Sequence, residues 1–228
     1  PDYPGDLKSG RLTELGINFD DNTQGFYVPR YVIEGDAERG IAPMAPDLRT
    51  VADLAKYPQL FPDPEKPGYG RIYGGITGWS ITEIMKTKIA HYGLDSLFTY
   101  MEPGTDAALS AAITSAYDKG EAVVAYYWEP TWLMGQYDMV LLEDAPYDDD
   151  LWFSGACECP SVTVTICSSN QFAEENPELC KILSKYRTSS ALTSEALAYM
   201  QKKNYGEGLK YYENRLCRFS SIETLKKT

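Results

Sequence analysis

Apolar positions along this chain recur at helical spacing in some stretches and as unbroken or alternating runs in others, and the two kinds take turns. The run GRIYGGITGWSITEIMKTKIAHYGL starts as a short strand at 71–73, passes through a Gly-rich turn, and goes on with Ile81, Ile84, Met85 and Ile89 at helical intervals. Ser80 and Glu83 have the spacing of a capping box, and Gly93 is placed to end the helix. DAALSAAITSAYDKG predicts the next helix, with Thr105 or Asp106 as cap and Gly120 as stop. EAVVAYYW is a continuous apolar run of strand length, as expected of a strand buried on both faces of a parallel sheet. GFYVPRYVIEG at 25–35 is β-rich, and Pro29, which has no N–H, predicts an edge strand or a strand start. PSVTVTICSS reads as another strand, with Val162, Val164 and Ile166. Two helices are expected around NPELCKILSKY and TSEALAYMQKK, the second with Thr193 and Glu195 in its first turn, and GLKYYENRLC as a helical tail. TVAD at 50–53 reads as a short capped helix inside a Pro-rich passage, and LKSGRLTELGINFDDNTQ as a connecting segment. Strands alternating with helices predict an α/β fold with a mainly parallel sheet.

Composition narrows the function. An apolar fraction of 43% and a charged fraction of 24% over 228 residues are those of an ordinary globular protein. No stretch approaches the roughly 20 apolar residues that span a bilayer, and the polar opening PDYPGDLKSG is not a signal peptide. The expectation is a protein soluble as given, with any targeting segment removed. A net charge of −12 without a basic stripe argues against nucleic acid as a partner. Of five cysteines, only Cys157 and Cys159 lie close, as CxC, and His91 is the single histidine, so no zinc site is expected and the pair reads as free or disulfide-bonded structural residues. No GxSxG elbow is present, and GYGRIYGG lacks the GK[ST] of a phosphate loop. The acidic pairs Glu143–Asp144 and Asp148–Asp150 read as solvated surface. No catalytic motif survives, so the chain is expected to be no enzyme and to carry no cofactor.

The aromatic residues change the picture. AYYWEPTWLMGQYD places Tyr126, Tyr127, Trp128 and Trp132 within seven residues, where a strand runs into a Pro-containing turn. Trp79 occupies the turn between another strand and a helix. In open α/β sheets ligands settle beyond the carboxyl ends of the strands, at helix N-termini. A tryptophan there serves either as core packing or as a ligand surface, and both readings fit. Facing one crevice, Trp79 and Trp128 would hold a quaternary ammonium ion by cation–π attraction, at about 0.5–2 kcal/mol per ring. The amides of Gly78, Trp79 and Ser80 would take an attached carboxylate. Strand alternation puts Tyr126 and Trp128 on one face and Tyr127 on the other. Glu129 reads as a turn-exposed acid and Trp152, in DDDLWFSG, as a hinge or packing residue.

The runs GFYVPRYV, TVADL, GWSITEIM, EPGTDAALSAAITSAYDKGE, YYWEPTW, YDMVLLED and SSALTSEALAYM, in this order, resemble the substrate-binding proteins of ABC transporters of the glycine betaine, proline betaine and choline type. The resemblance covers about 12–200, and YYWEPTW followed by YDMVLLED is its most specific part. It implies a two-lobed, periplasmic-binding-protein-like α/β fold that closes on its ligand, an ABC permease as partner, and an extracytoplasmic location. It implies that the trimethylammonium head sits in a box of aromatic rings, with Trp79 and Trp128 as members on one lobe and Tyr126, Tyr127 and Trp132 as further candidates. Many relatives read W-x-P-H-W where this chain has Thr131, a neutral residue with a shorter reach toward an anionic ligand end. Relatives also carry on the order of a hundred residues before the equivalent of Leu12. The expected organisation is therefore an intact ligand-binding lobe at 25–144, with 1–24 and 145–228 as part of a second, incomplete lobe. The alternatives to a betaine receptor are a receptor for choline or another trimethylammonium compound, and an enzyme or interaction module that reuses the lobe.

Overall fold

The structure, a computed structural model, describes residues 3–203; the expected helix in GLKYYENRLC lies outside the described residues. Contacts divide the chain into two compact units. Unit 1 takes the residues up to Asn22, Pro130–Gly135 and the residues from Ser161 on, and unit 2 takes Thr23–Glu129 and Gln136–Pro160.

The opening segment is not a connector: it holds α1 (Tyr3–Lys8) and β1 (Leu12–Phe19). Then come β2 (Gln24–Pro29) and the short helix α2 (Arg30–Glu34). TVAD does open a short 3-10 helix, Val51–Lys56, with Thr50 and Asp53 completing a capping box. After it run β3 (Gly70–Tyr73), α3 (Ser80–His91), β4 (Phe98–Met101), α4 (Asp106–Lys119) and β5 (Ala125–Trp128). The chain goes on through α5 (Trp132–Gln136), β6 (Met139–Leu141) and α6 (Asp149–Trp152). It ends with β7 (Val164–Ser169), α7 (Asn170–Glu175), α8 (Pro177–Leu183) and α9 (Ser190–Lys202).

Unit 2 is built on a five-stranded sheet in the order β4-β3-β5-β2-β6. β3 pairs parallel with β4 and β5, while β2 is antiparallel to β5 and β6, so every strand except β2 runs in one direction. Pro29 therefore belongs to an interior strand and not to an edge. The sheet tolerates it because it is the last residue of β2, opposite Met139, and the next backbone N–H, of Arg30, donates to the Asp138 carbonyl. Helices and loops cover the sheet around a core that includes Phe26, Val28, Leu54, Ile72, Met85 and Val124. Met85 and Ile89, from the apolar stripe of α3, are buried in it. In unit 1 the β1–β7 pair is antiparallel, unlike the expected parallel sheets, and slips register between Glu14 and Gly16 and between Ile17 and Phe19.

Capping was read from sequence with mixed success. Thr105 caps α4 by accepting from the Ala108 amide, and Gly93 and Gly120 sit in the left-handed region where a helix stops. Ser80 and Glu83 make no capping box: Trp79 is the N-cap of α3, no side chain caps it, and Glu83 pairs with Lys86. α9 starts earlier than expected, at Ser190, with Ser189 accepting from the Leu192 amide, so Thr193 and Glu195 lie beyond its first residues.

One buried charge ties α3 to the segment that leads out of unit 2. The Lys88 ammonium donates to the Asp144 carboxylate, to the Gly155 carbonyl at 3.1 Å and to the Cys157 carbonyl, and Tyr92 donates its hydroxyl to Asp144. Gly155 has φ +70°, and a Cβ there would stand 2.4 Å from the Lys88 backbone nitrogen. This clamp lies wholly within unit 2, which runs to Pro160. Residues 130–135 pack instead with α9, where a Cβ on Gly135 would meet the Ser194 carbonyl at 2.0 Å.

Candidate functional site

Because β3, β4 and β5 run in one direction, the loops that leave their carboxyl ends gather on one rim of the sheet, where ligands bind in folds of this kind. Three stretches meet there: 74–79 after β3, 102–105 after β4, and the end of β5. Glycines let the first pass close. A Cβ on Gly74 would lie 2.1 Å from the Tyr100 ring and one on Gly75 would lie 2.6 Å from Thr82 Oγ1. The Gly75 N–H instead donates to Tyr100 Oη at 3.0 Å. The loop then closes on the Ile76 carbonyl, which accepts from the Trp79 N–H at 3.1 Å and from Thr82 Oγ1 at 2.8 Å.

This loop projects Trp79 outward, with 37% of its surface exposed. Its ring meets that of Trp128 edge to face, with centroids 5.2 Å apart and planes at 68°. Trp128 stacks in turn on Tyr127, 4.6 Å away at 27°, and lies 6.1 Å from Tyr126. Strict alternation would set Tyr127 against the opposite face of the sheet; Trp128 is the last residue of β5, where the pleat ends, and its ring folds back onto its neighbour. Both tyrosines are buried and held by their hydroxyls, Tyr127 with Ser110 at 3.0 Å and Tyr126 donating to Gln24 at 2.8 Å. They are the floor behind Trp128. Burial pushes the Tyr126 phenol well above its usual range.

The charges around the pair are acidic. Thr77 donates to Glu102 at 3.0 Å, and Lys86 bridges Glu102 at 2.6 Å and Glu83 at 2.9 Å. The bond from Lys86, then that from Thr77, hold Glu102 below the usual carboxylate range. Glu129 follows Trp128 directly, its N–H donating to the Thr23 carbonyl.

The structure thus gathers Trp79, Trp128, Tyr126 and Tyr127 in unit 2, with Gly78, at φ +92°, and Ser80 at the head of α3. The Trp79 amide expected to meet a carboxylate is already spent on Ile76. Thr131 and Trp132 belong to unit 1. Thr131 is buried, its hydroxyl accepting from the Met134 amide and its own amide donating to Ser194, while Trp132 opens α5 half-buried. Trp152 packs near Tyr147, with ring centroids 6.0 Å apart. Sequence reasoning passed over Glu102 and Tyr100 and read the glycine pair only as a turn; the adjacent glycines directly after a strand were the available signal, since they mark a close approach of backbone to a side chain. A cavity of about 330 Å³ opens elsewhere in unit 2, lined by Gln24, Phe26, Lys88, Leu142, Asp144 and Cys159 among others, and the tryptophans do not line it. Among the described residues no cluster of His, Cys, Asp and Glu is suited to a metal, and no helix is long and apolar enough to cross a membrane.

A two-unit α/β protein with strand ends and a helix N-terminus turned toward one rim is a ligand-binding fold of the periplasmic-binding-protein class. Within that class, the chain belongs to the family of substrate-binding domains of ABC-type glycine betaine transport systems, whose sequence profile matches residues 2–209. Among solved structures it is similar to lactococcal OpuAC in its closed-liganded conformation complexed with glycine betaine, at 19% identity and TM-score 0.56, over 99% of this chain and 73% of that one. It is similar to the glycine betaine, L-proline-binding protein ProX from Borrelia burgdorferi, at 19% identity and TM-score 0.54, over 93% and 68%. An ABC-transporter choline-binding protein in complex with choline matches at 17% identity and TM-score 0.52, over 92% and 65%. The chain thus spans about two thirds of the length of these proteins. No curated protein sequence matches it.

Proposed function

We propose that this protein is the extracytoplasmic receptor of an ABC importer and that it captures a quaternary ammonium compound, glycine betaine or a relative such as choline, on the Trp79–Trp128 pair. The contact between the two indoles, one of them with over a third of its surface exposed at the strand-end rim, is the observation that carries the reading. A methylated nitrogen donates no conventional N–H hydrogen bond, so electron-rich ring faces are the surface that recognises it. Tyr126 and Tyr127 hold Trp128 in place from behind, and all of these rings lie in the lobe expected at 25–144. Membership of the transport family, and the choline and glycine betaine named for the similar structures, support the ligand class and the permease partner.

Intrinsic tryptophan fluorescence of the full-length protein, titrated with glycine betaine and with choline, tests this. A saturable change is expected with at least one of them. Trp128→Ala should weaken binding by about two- to thirtyfold, the loss of one cation–π face, and Trp152→Phe, whose ring packs near Tyr147, should leave it unaltered. Absence of any saturable response in the intact protein overturns the proposal.

A further inference from the structure

The charges beside the tryptophans differ in sign from what a zwitterion needs. A ligand such as glycine betaine brings a carboxylate as well as a quaternary nitrogen, and that carboxylate requires a cation or unspent N–H groups. Beside Trp79, Lys86 bridges the carboxylates of Glu83 and Glu102, so that this group of three carries one net negative charge. Of the three amides expected to meet a carboxylate, that of Trp79 is bonded to Ile76. Glu102 is no freely swinging surface acid: Thr77, two residues before Trp79, and Lys86 fix both of its oxygens, Oε2 and Oε1, against the loop that presents the indole.

We infer that Glu102 is a specificity-determining residue that biases the Trp79–Trp128 rim toward a quaternary ammonium cation with a neutral tail, such as an ammonium alcohol, over a zwitterion that carries a carboxylate. The inference rests on the quaternary-amine reading above and adds a choice within it. Its physical basis is a fixed negative charge that attracts a net cation and repels the anionic end of a zwitterion, an effect that salt screens. Lys86 moderates the effect, because it offsets one of the carboxylates it touches.

The test compares choline with glycine betaine by calorimetric or fluorescence titration of the full-length protein and two variants, with thermal unfolding as the check on folding. Glu102→Gln removes the charge and keeps an oxygen that accepts from Thr77. It should weaken choline by about two- to fivefold while glycine betaine holds or gains, lowering the choline-to-betaine affinity ratio. Lys86→Met should raise that ratio. Choline binding by the unaltered protein should also weaken as salt rises from about 20 mM to about 500 mM, with betaine binding affected less. An unchanged ratio in both variants, with both ligands still binding saturably, sinks this inference and leaves the proposed function standing. A protein that binds neither ligand sinks the proposed function and the inference with it.

Discussion

Arg71 and Asp63 show how much of this molecule is decided by single side chains far from the rim. Both are buried, and their ion pair closes at 2.6 Å. Burial alone would raise the Asp63 pKa, but hydrogen bonds from Thr99, the Glu65 amide and Arg71 prevail and bring it down to about 2. A carboxylate with a depressed folded pKa stabilises the native state above its unfolded value, and that stability fades as protons bind. Thermal midpoints should therefore fall as pH drops from about 4 toward about 2, and Asp63→Asn, less stable at neutral pH, should lose part of this acid sensitivity in the same scans. None of this was legible from sequence, because Asp63 reaches Arg71 through the bridge of Pro62 to Gly70, and Thr99 joins them through the pairing of β3 with β4. Local partnerships fared better. Thr50 with Asp53, Thr105 with the Ala108 amide, and the left-handed Gly93 and Gly120 all act within a few residues of themselves. Ser80 with Glu83 has the right spacing and misleads, because Lys86 competes for the glutamate.

At the scale of elements, length and burial separate what could be read from what could not. α3, α4 and β5 carry long periods or an unbroken apolar run, and their sequences announce them. β6 has three residues and β4 has four, with burial that differs from one residue to the next, so nothing periodic marks them before their partners are known. β1 is half-buried along most of its length and slips register twice, which erases alternation. The trend continues at α3, whose helix was legible while its attachment was not. Lys88 lies in an amphipathic stretch like any surface lysine, yet it is buried against Asp144 and two carbonyls. Removing one member of a buried pair strands the other, so Lys88→Met should cost about 3–5 kcal/mol in urea unfolding. The double change Lys88→Met with Asp144→Leu should recover a large part of that loss, since no uncompensated charge is left.

The molecule as a whole was recognisable through a chain of ordered motifs, and the α/β class and the transport family follow from them. The reversed β2 inside the sheet and the excursion of 130–135 into unit 1 were not, because neither leaves a local signature. Molecular behaviour at high pH is set by the abundance of enclosed phenols. Burial raises Tyr27, Tyr31, Tyr92, Tyr100 and Tyr126 above the usual range and pushes the Cys159 thiol up to about 12. An unfolded chain ionises these groups near their ordinary values of 9.0 and 10.0, so native stability, intact below about pH 9, should decline as pH rises toward about 12. Phenolate absorbance recorded with circular dichroism checks this: one group of tyrosines should ionise with the fold intact, and the buried group only as ellipticity collapses.

The chain passes from one unit to the other at 22/23, 129/130, 135/136 and 160/161. A protease that nicks any single passage leaves the halves joined by the remaining three, so the cut protein should still run as one particle until denaturant is added. Neither half can be obtained by trimming an end of the gene, and an engineer who wants the half with Trp79 and Trp128 alone has to rejoin its two pieces with a linker across the gap left by residues 130–135.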